Sequence, residues 1–159
     1  MQPHISLSAE KIFSIAGLPV TNSLLMTWVV MGVLTFLALL VSSHIRMVPG
    51  KLQSAMEMIL GGIYDLFSSV VGKDKIDLFF PLLATIFLFV VVANWSGLFP
   101  GVGAIGLVSD KEPFIPLFRG PTADLNTTLA LAIISVVALQ YYGFKSLGLG
   151  YITKFINFY

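Results

Sequence analysis

The sequence contains no cysteine among its 159 residues, so it can form neither disulfide bonds nor thiolate metal sites. Cysteine usage therefore does not indicate whether the protein lies in an oxidising or a reducing compartment. Its two histidines, His4 and His44, are too far apart to give the ligand spacing of a metal site. No nucleophile–base pair, phosphate-binding loop or metal signature is found, so we expect no catalytic residue, cofactor or metal. A net charge of +1 without a basic stripe also argues against nucleic acid as a partner.

Charged residues are scarce as well. They make up 11% of the chain, against about 25% in ordinary globular proteins, whereas hydrophobic residues reach 57%, against roughly 45–50%. A water-soluble chain of this length could not bury so much apolar surface, so the composition indicates a membrane protein. The length predicts a single domain, residues 1–159. The first residues lack a long apolar run after a basic start, so we expect no cleavable signal peptide.

Three long apolar runs predict transmembrane helices. They cover residues 22–43, 78–98 and 125–144. About twenty apolar residues in a helix rise about 30 Å, which matches the hydrocarbon core of a bilayer. Asn22 or Ser23 is expected to cap the first helix by accepting a hydrogen bond from a backbone N–H group. Pro81 is expected in the first turn of the second helix, where its missing N–H group has little consequence.

The segment between the first two runs has a different pattern. Pro49 and Gly50 break the helix, and apolar residues then recur at helical spacing over residues 51–71, with polar residues between them. A single apolar stripe next to a membrane span predicts an amphipathic helix that lies in the membrane interface. Residues 100–123, rich in glycine and proline, are expected to form an outer loop, and residues 1–21 a short surface helix or an irregular arm.

The predicted fold class is therefore an all-α membrane protein with three transmembrane helices plus one amphipathic interfacial helix. Its orientation follows from the loop cations, because cytoplasmic loops carry an excess of lysine and arginine. Six of the nine cations lie on one predicted side and three on the other. The first group is Arg46, Lys51, Lys73, Lys75, Lys145 and Lys154, and the second is Lys11, Lys111 and Arg119. We expect the first side, with the amphipathic helix, to be cytoplasmic.

Three polar residues are predicted near the outer membrane face: Asp124 and Asn126 at the start of the third run, and Asn94 near the end of the second. Polar groups at this depth are costly, which makes them candidate functional residues. They could line an aqueous entry for an ion, since a carboxylate can exchange protons and an amide can hold ordered water. Alternatively, Asp124 caps the third helix and Asn94 joins neighbouring helices. Because Asp124 and Asn126 point about 200° apart on an ideal helix, a wet pocket is favoured over a tight pair.

Four segments, in order along the chain, carry a resemblance to a known family. They are PVTNS at 19–23, VPGKLQSAMEMIL at 48–60, PLLATIFLFVVVANWSGLFPG at 81–101 and PTADLNTTLALA at 121–132. Together they resemble subunit a of the F-type ATP synthase, the stationary membrane subunit beside the rotating ring. The resemblance covers roughly residues 10–150, and its most specific part is Ala-Asp-Leu-Asn at the start of a span.

The resemblance implies translocation of protons, or of sodium in some members, through two offset half-channels in a non-catalytic stator subunit. Asp124, Asn126 and Asn94 match positions associated with the outer half-channel. The implied partners are a ring of small hairpin (c-type) subunits, the peripheral stalk (b-type) subunits and the lipid bilayer. The implied location is an energy-coupling membrane, where the chain would be a multi-pass protein of the bacterial inner membrane or of an organelle or thylakoid.

The family's essential arginine lies on the first of two long tilted helices, and no arginine follows Arg119, which lies in a loop. We therefore expect this chain to correspond to the N-terminal part of such a subunit and to be inactive alone. The alternative is a non-conducting membrane scaffold or half-transporter fragment, in which the polar groups only join helices.

Overall fold

A computed structural model of the chain describes residues 9–107 and 114–152. The chain divides into two compact units, the first ending at Asp124 and the second beginning at Leu125. The predicted outer loop, residues 100–123, is described except for residues 108–113, and the loop cations Lys111 and Lys154 lie outside the described residues.

The first unit contains three long helices. They are α1 (Asn22–Ser42), α2 (Lys51–Val71) and α3 (Ile76–Leu98). Helix α2 ends at Gly72, whose φ of 93° lies in the left-handed region that glycine adopts without strain. Helix α3 ends because Phe99 precedes a proline and is therefore held in extended backbone.

Two expectations about these helix starts are wrong. The cap of α1 is Thr21, whose hydroxyl accepts a hydrogen bond from the Leu24 N–H group at 3.3 Å, and not Asn22 or Ser23, which are already helical. Helix α3 starts before the apolar run, at Ile76, so Pro81 is its sixth residue and lies beyond the first turn.

In its described part, residues 9–21, the N-terminal arm is a β-hairpin and not the expected surface helix or irregular arm. Strands β1 (Lys11–Ile15) and β2 (Leu18–Thr21) form an antiparallel hairpin that leads directly into α1. The two turn residues, Ala16 and Gly17, both have positive φ, as a tight two-residue hairpin turn requires. The outer loop likewise contains a two-residue pairing, β3 (Gly106–Leu107) with β4 (Ile115–Pro116), followed by a 3-10 turn at Pro121–Ala123.

Helices α2 and α3 form a hairpin that is held together by aromatic side chains. The ring of Tyr64 meets that of Phe80 edge-on at 5.1 Å, and Phe67 meets Phe87 in the same way at 5.8 Å. The Tyr64 hydroxyl also donates to a carboxylate oxygen of Asp77 at 2.8 Å. A second, apolar stripe of α2 is exposed; it consists of Leu52, Ala55, Ile59, Leu66 and Val70.

The second unit consists of α4 (Leu125–Leu147) and a 3-10 turn at Gly148–Tyr151. Tyr151 folds back onto α4, where it meets the ring of Phe144 edge-on at 5.2 Å and becomes buried. The close fit depends on Gly143, because a Cβ atom there would lie 2.5 Å from the Tyr151 ring. Over residues 125–144, α4 presents most of its large apolar side chains outward.

Within the described residues, α1, α2, α3 and α4 are each long and apolar enough to cross a membrane, and α2 is the least apolar of them. Their large apolar side chains are mostly exposed, which a soluble protein of this size does not tolerate but a lipid-embedded one requires. The expectation of an all-α membrane protein is confirmed, with the two short hairpins as additions to it.

Candidate functional site

Asp124 is buried within the first unit, with only 3% of its surface exposed. One of its carboxylate oxygens, Oδ2, accepts a hydrogen bond from the hydroxyl of Ser23 at 2.7 Å. Ser23 is itself fully buried, and it lies in the first turn of α1, 101 residues away along the chain. The distance is within the range of hydroxyl–carboxylate hydrogen bonds, which are stronger than those between neutral groups.

The start of α1 places Ser23 against Asp124 through several buried polar contacts. The Asn22 side chain, 1% exposed, donates from Nδ2 to the carbonyl of Pro116 at 3.2 Å and accepts from the Ser23 N–H group at 2.9 Å. Its backbone N–H group donates to the carbonyl of Glu10 at 3.1 Å. The β1–β2 hairpin, the outer loop and the 3-10 turn therefore converge on the first turn of α1.

Asn94 lies in α3 and is exposed, unlike Asp124. Its side-chain oxygen accepts a hydrogen bond from the hydroxyl of Thr122 at 2.7 Å. Thr122 belongs to the same 3-10 turn that Asp124 follows directly. The turn and the residue after it thus bond to α3 through Thr122 and to α1 through Asp124. Two of the three predicted residues, Asn94 and Asp124, are therefore linked to the same short segment.

A close approach of two glycines lets this turn reach α3. A Cβ atom on Gly97 would lie 3.3 Å from the Cα atom of Gly120, the residue before the 3-10 turn. A side chain at position 97 would therefore press on the Gly120 backbone, whereas a Cβ atom on Gly120 would make an ordinary contact at 3.5 Å with the Cα atom of Gly97. Gly97 thus lets the backbone that leads into the 3-10 turn pass close to α3.

Asn126, the third predicted residue, belongs to the second unit. It is the second residue of α4, and its side chain is exposed. The Asp124 backbone is extended, with φ −99° and ψ 125°, as is usual for a residue that immediately precedes a helix. Both interpretations of Asp124, ion entry and helix cap, thus keep a physical basis.

Two partners in this site were missed by sequence reasoning. The sequence predicts a capping role for Ser23 and no role for Thr122. The available signal was weak: hydroxyl groups next to helix starts usually satisfy their own backbone, as Thr21 does. Among residues 9–107 and 114–152, no cluster of three histidine or carboxylate side chains could hold a metal ion.

The long apolar helices of the described residues define a class, the polytopic helical membrane proteins. The comparison with known families is more specific. Residues 24–159 match the family model described as ATP synthase A chain, and the chain belongs to that family. The family places it, as a multi-pass protein, in an energy-coupling membrane.

Curated relatives agree with this assignment. The chain is 39% identical over 131 residues to ATP synthase subunit a of Desulfotalea psychrophila, covering 82% of this chain and 48% of the relative. It is 36% identical to the subunit of Oleidesulfovibrio alaskensis, covering 82% and 49%. It is 31% identical over 154 residues to the chloroplastic subunit a of Stigeoclonium helveticum, covering 96% and 60%. The chain spans about half the length of the first two relatives.

Proposed function

We propose that this chain forms part of the ion-translocating stator of a rotary ATP synthase. It would act as a non-catalytic channel subunit that conducts protons, or sodium ions, across an energy-coupling membrane. Its partners would be a ring of small hairpin (c-type) subunits and the b-type subunits of the peripheral stalk. Family membership supports this proposal, and so do helices whose apolar surfaces need lipid or neighbouring membrane subunits as cover.

We assign the outer half-channel to Asp124, Asn94 and Asn126. The observation that carries this assignment is Asp124 itself, a carboxylate that is 3% exposed and lies directly before a 23-residue apolar helix. A buried carboxylate can bind and release a proton, whereas an amide such as that of Asn94 or Asn126 can hold an ordered water but cannot titrate. The Thr122 hydroxyl donates a hydrogen bond to Asn94, so Asn94 is already paired with another polar side chain.

The orientation supports an entry from the outer side. Of the loop cations in the described residues, Arg46, Lys51, Lys73, Lys75 and Lys145 lie on the predicted cytoplasmic side, and Lys11 and Arg119 on the other. Helix α2 would then lie in the cytoplasmic interface, with its exposed apolar stripe in the lipid. Helix α3 would run outward, and the hydrogen bond from Thr122 to Asn94 near the end of α3 would put the 3-10 turn and Asp124 near the outer water.

The alternative is a scaffold that conducts nothing, and one observation favours it. Both Ser23–Asp124 and Thr122–Asn94 tie the 3-10 turn to helices, which is what purely structural polar groups do. An asparagine at position 124 separates the two functions. Its side-chain oxygen can still accept the hydrogen bond from Ser23, but it cannot carry a proton.

The test is proton-driven ATP synthesis in membrane vesicles that contain the ATP synthase with this chain. We expect Asp124→Asn to reduce the rate by at least about tenfold, equivalent to about 1.4 kcal/mol in a barrier, while the assembled complex is retained. A matched control is Ser96→Ala, since Ser96 is buried in α3 but donates only within its own helix, to the Ala93 carbonyl. Unchanged synthesis in Asp124→Asn would leave the scaffold as the better account.

A further inference from the structure

Two side chains at the start of α1, Thr21 and Ser23, form a continuous hydrogen-bonded chain with Asp124. The Thr21 and Ser23 hydroxyl oxygens are 3.2 Å apart, and the Ser23 hydroxyl lies 2.7 Å from Oδ2 of Asp124. Burial increases along this chain. Thr21 is half-buried, whereas Ser23 is 0% and Asp124 3% exposed.

The direction of these hydrogen bonds is determined by counting donors. Ser23 has one hydroxyl proton, which it donates in the hydrogen bond to Asp124. Thr21 must therefore be the donor in the hydrogen bond between Thr21 and Ser23. The Thr21 oxygen accepts one bond, from the Leu24 N–H group, and its second lone pair can accept from water. Every donor in the chain therefore points from the more exposed end toward the carboxylate.

We propose that Thr21 and Ser23 form a proton relay that delivers protons from outer water to the buried Asp124. A water-borne proton adds to the oxygen of Thr21, the hydroxyl proton of Thr21 passes to Ser23, and that of Ser23 passes to Asp124. One proton enters, each hydroxyl ends with one proton, and the carboxylate becomes a neutral carboxyl group. Both hydroxyls then rotate before the next transfer. The relay gives the entry step of the proposed half-channel, and it rests on that proposed function.

A purely structural role would make a different prediction for Thr21. If the hydroxyls only hold the turn and cap the helix, any residue that caps α1 equally well can replace Thr21. Asparagine is among the best capping residues, but its amide cannot pass on a proton. Serine keeps both the cap and the hydroxyl. Thr21→Asn and Thr21→Ser therefore form a matched pair that differs in the relay alone.

The experiment measures proton uptake by Asp124 in the membrane complex that contains this chain, reconstituted in phospholipid vesicles. A rapid drop in external pH is followed by time-resolved infrared spectroscopy, and the carboxyl band is assigned by its loss in Asp124→Asn. We expect Thr21→Asn and Ser23→Ala to slow its appearance by at least about tenfold. Thr21→Ser should leave the rate unchanged. So should Thr27→Val, because the Thr27 hydroxyl donates to the Ser23 carbonyl, outside the relay.

Wild-type uptake in Thr21→Asn overturns the relay, and so does a carboxyl band that does not respond to pH. If Ser23→Ala fails to assemble, the Thr21 pair still decides. The proposed function has its own readout in the same vesicles. Slowed uptake in Thr21→Asn, together with normal ATP synthesis in Asp124→Asn, would support the relay but refute conduction through Asp124.

Discussion

The hydrogen bond between Ser23 and Asp124 is predicted to stabilise the first unit measurably. Both groups are almost fully buried, at 0% and 3% exposure. When one partner is removed, bulk water therefore cannot take its place as a hydrogen-bond partner of the other. Hydrogen bonds to charged groups contribute about 1.5–3 kcal/mol, whereas interhelical ones in membrane proteins average about 0.6 and reach about 1.7 kcal/mol. The short distance and the carboxylate acceptor favour the upper part of the second range, about 1.5 kcal/mol.

The coupling is measured by a double-mutant cycle of Ser23→Ala and Asp124→Ala. The free energy of unfolding is obtained for the two single variants, the double variant and the wild type in lipid bicelles. The Ser96→Ala and Asp124→Ala cycle is the control, because Ser96 is also a buried serine but bonds to its own helix. A Ser23–Asp124 coupling below about 0.5 kcal/mol, the range of independent sites, would refute the reasoning.

Two further predictions concern other parts of the chain. Gly143→Ala places a Cβ atom 2.5 Å from the Tyr151 ring, so Tyr151 should leave α4 and react faster in hydroxyl-radical footprinting, while Gly61→Ala, which meets nothing within 4 Å, should change nothing. Unchanged labelling of Tyr151 would contradict this packing. The native chain has no cysteine, so single cysteines at Lys51 and Ser69, about 27 Å apart along α2, should both react with a membrane-impermeant maleimide from the cytoplasmic side. Labelling from opposite sides would mean that α2 crosses the membrane.

Helices could be predicted from this sequence because their signals are local. Long apolar runs and the apolar stripe of residues 51–71 repeat over many turns, and Gly72 and Pro100 stop helices by their own backbone properties. The β1–β2 hairpin was not predicted, because its strands are only five and four residues long and alternation is weak in so short a segment. The apolar run predicts the start of α3 two residues too late, at residue 78 instead of 76, because Asp77 is charged.

The candidate site could be predicted only in part, for a physical reason. Asp124 and Asn94 stand out because a carboxylate or an amide at the depth of an apolar run is costly. Their partners do not stand out, since Ser23 is 101 residues from Asp124 and Thr122 is 28 from Asn94 along the chain. Serine and threonine are common at helix starts, and only the packing of the 3-10 turn against α1 and α3 shows which hydroxyl meets which acceptor.

The most direct test of the central claim is passive proton flux through the membrane sector at a fixed membrane potential. Vesicles carry the complex with wild-type Asp124, Asp124→Asn or Asp124→Glu, after the catalytic part has been stripped away. We predict that flux is lost with asparagine and at least partly kept with glutamate, because only a carboxyl group can pass the proton on. Equal flux in the wild type and in Asp124→Asn would contradict the account.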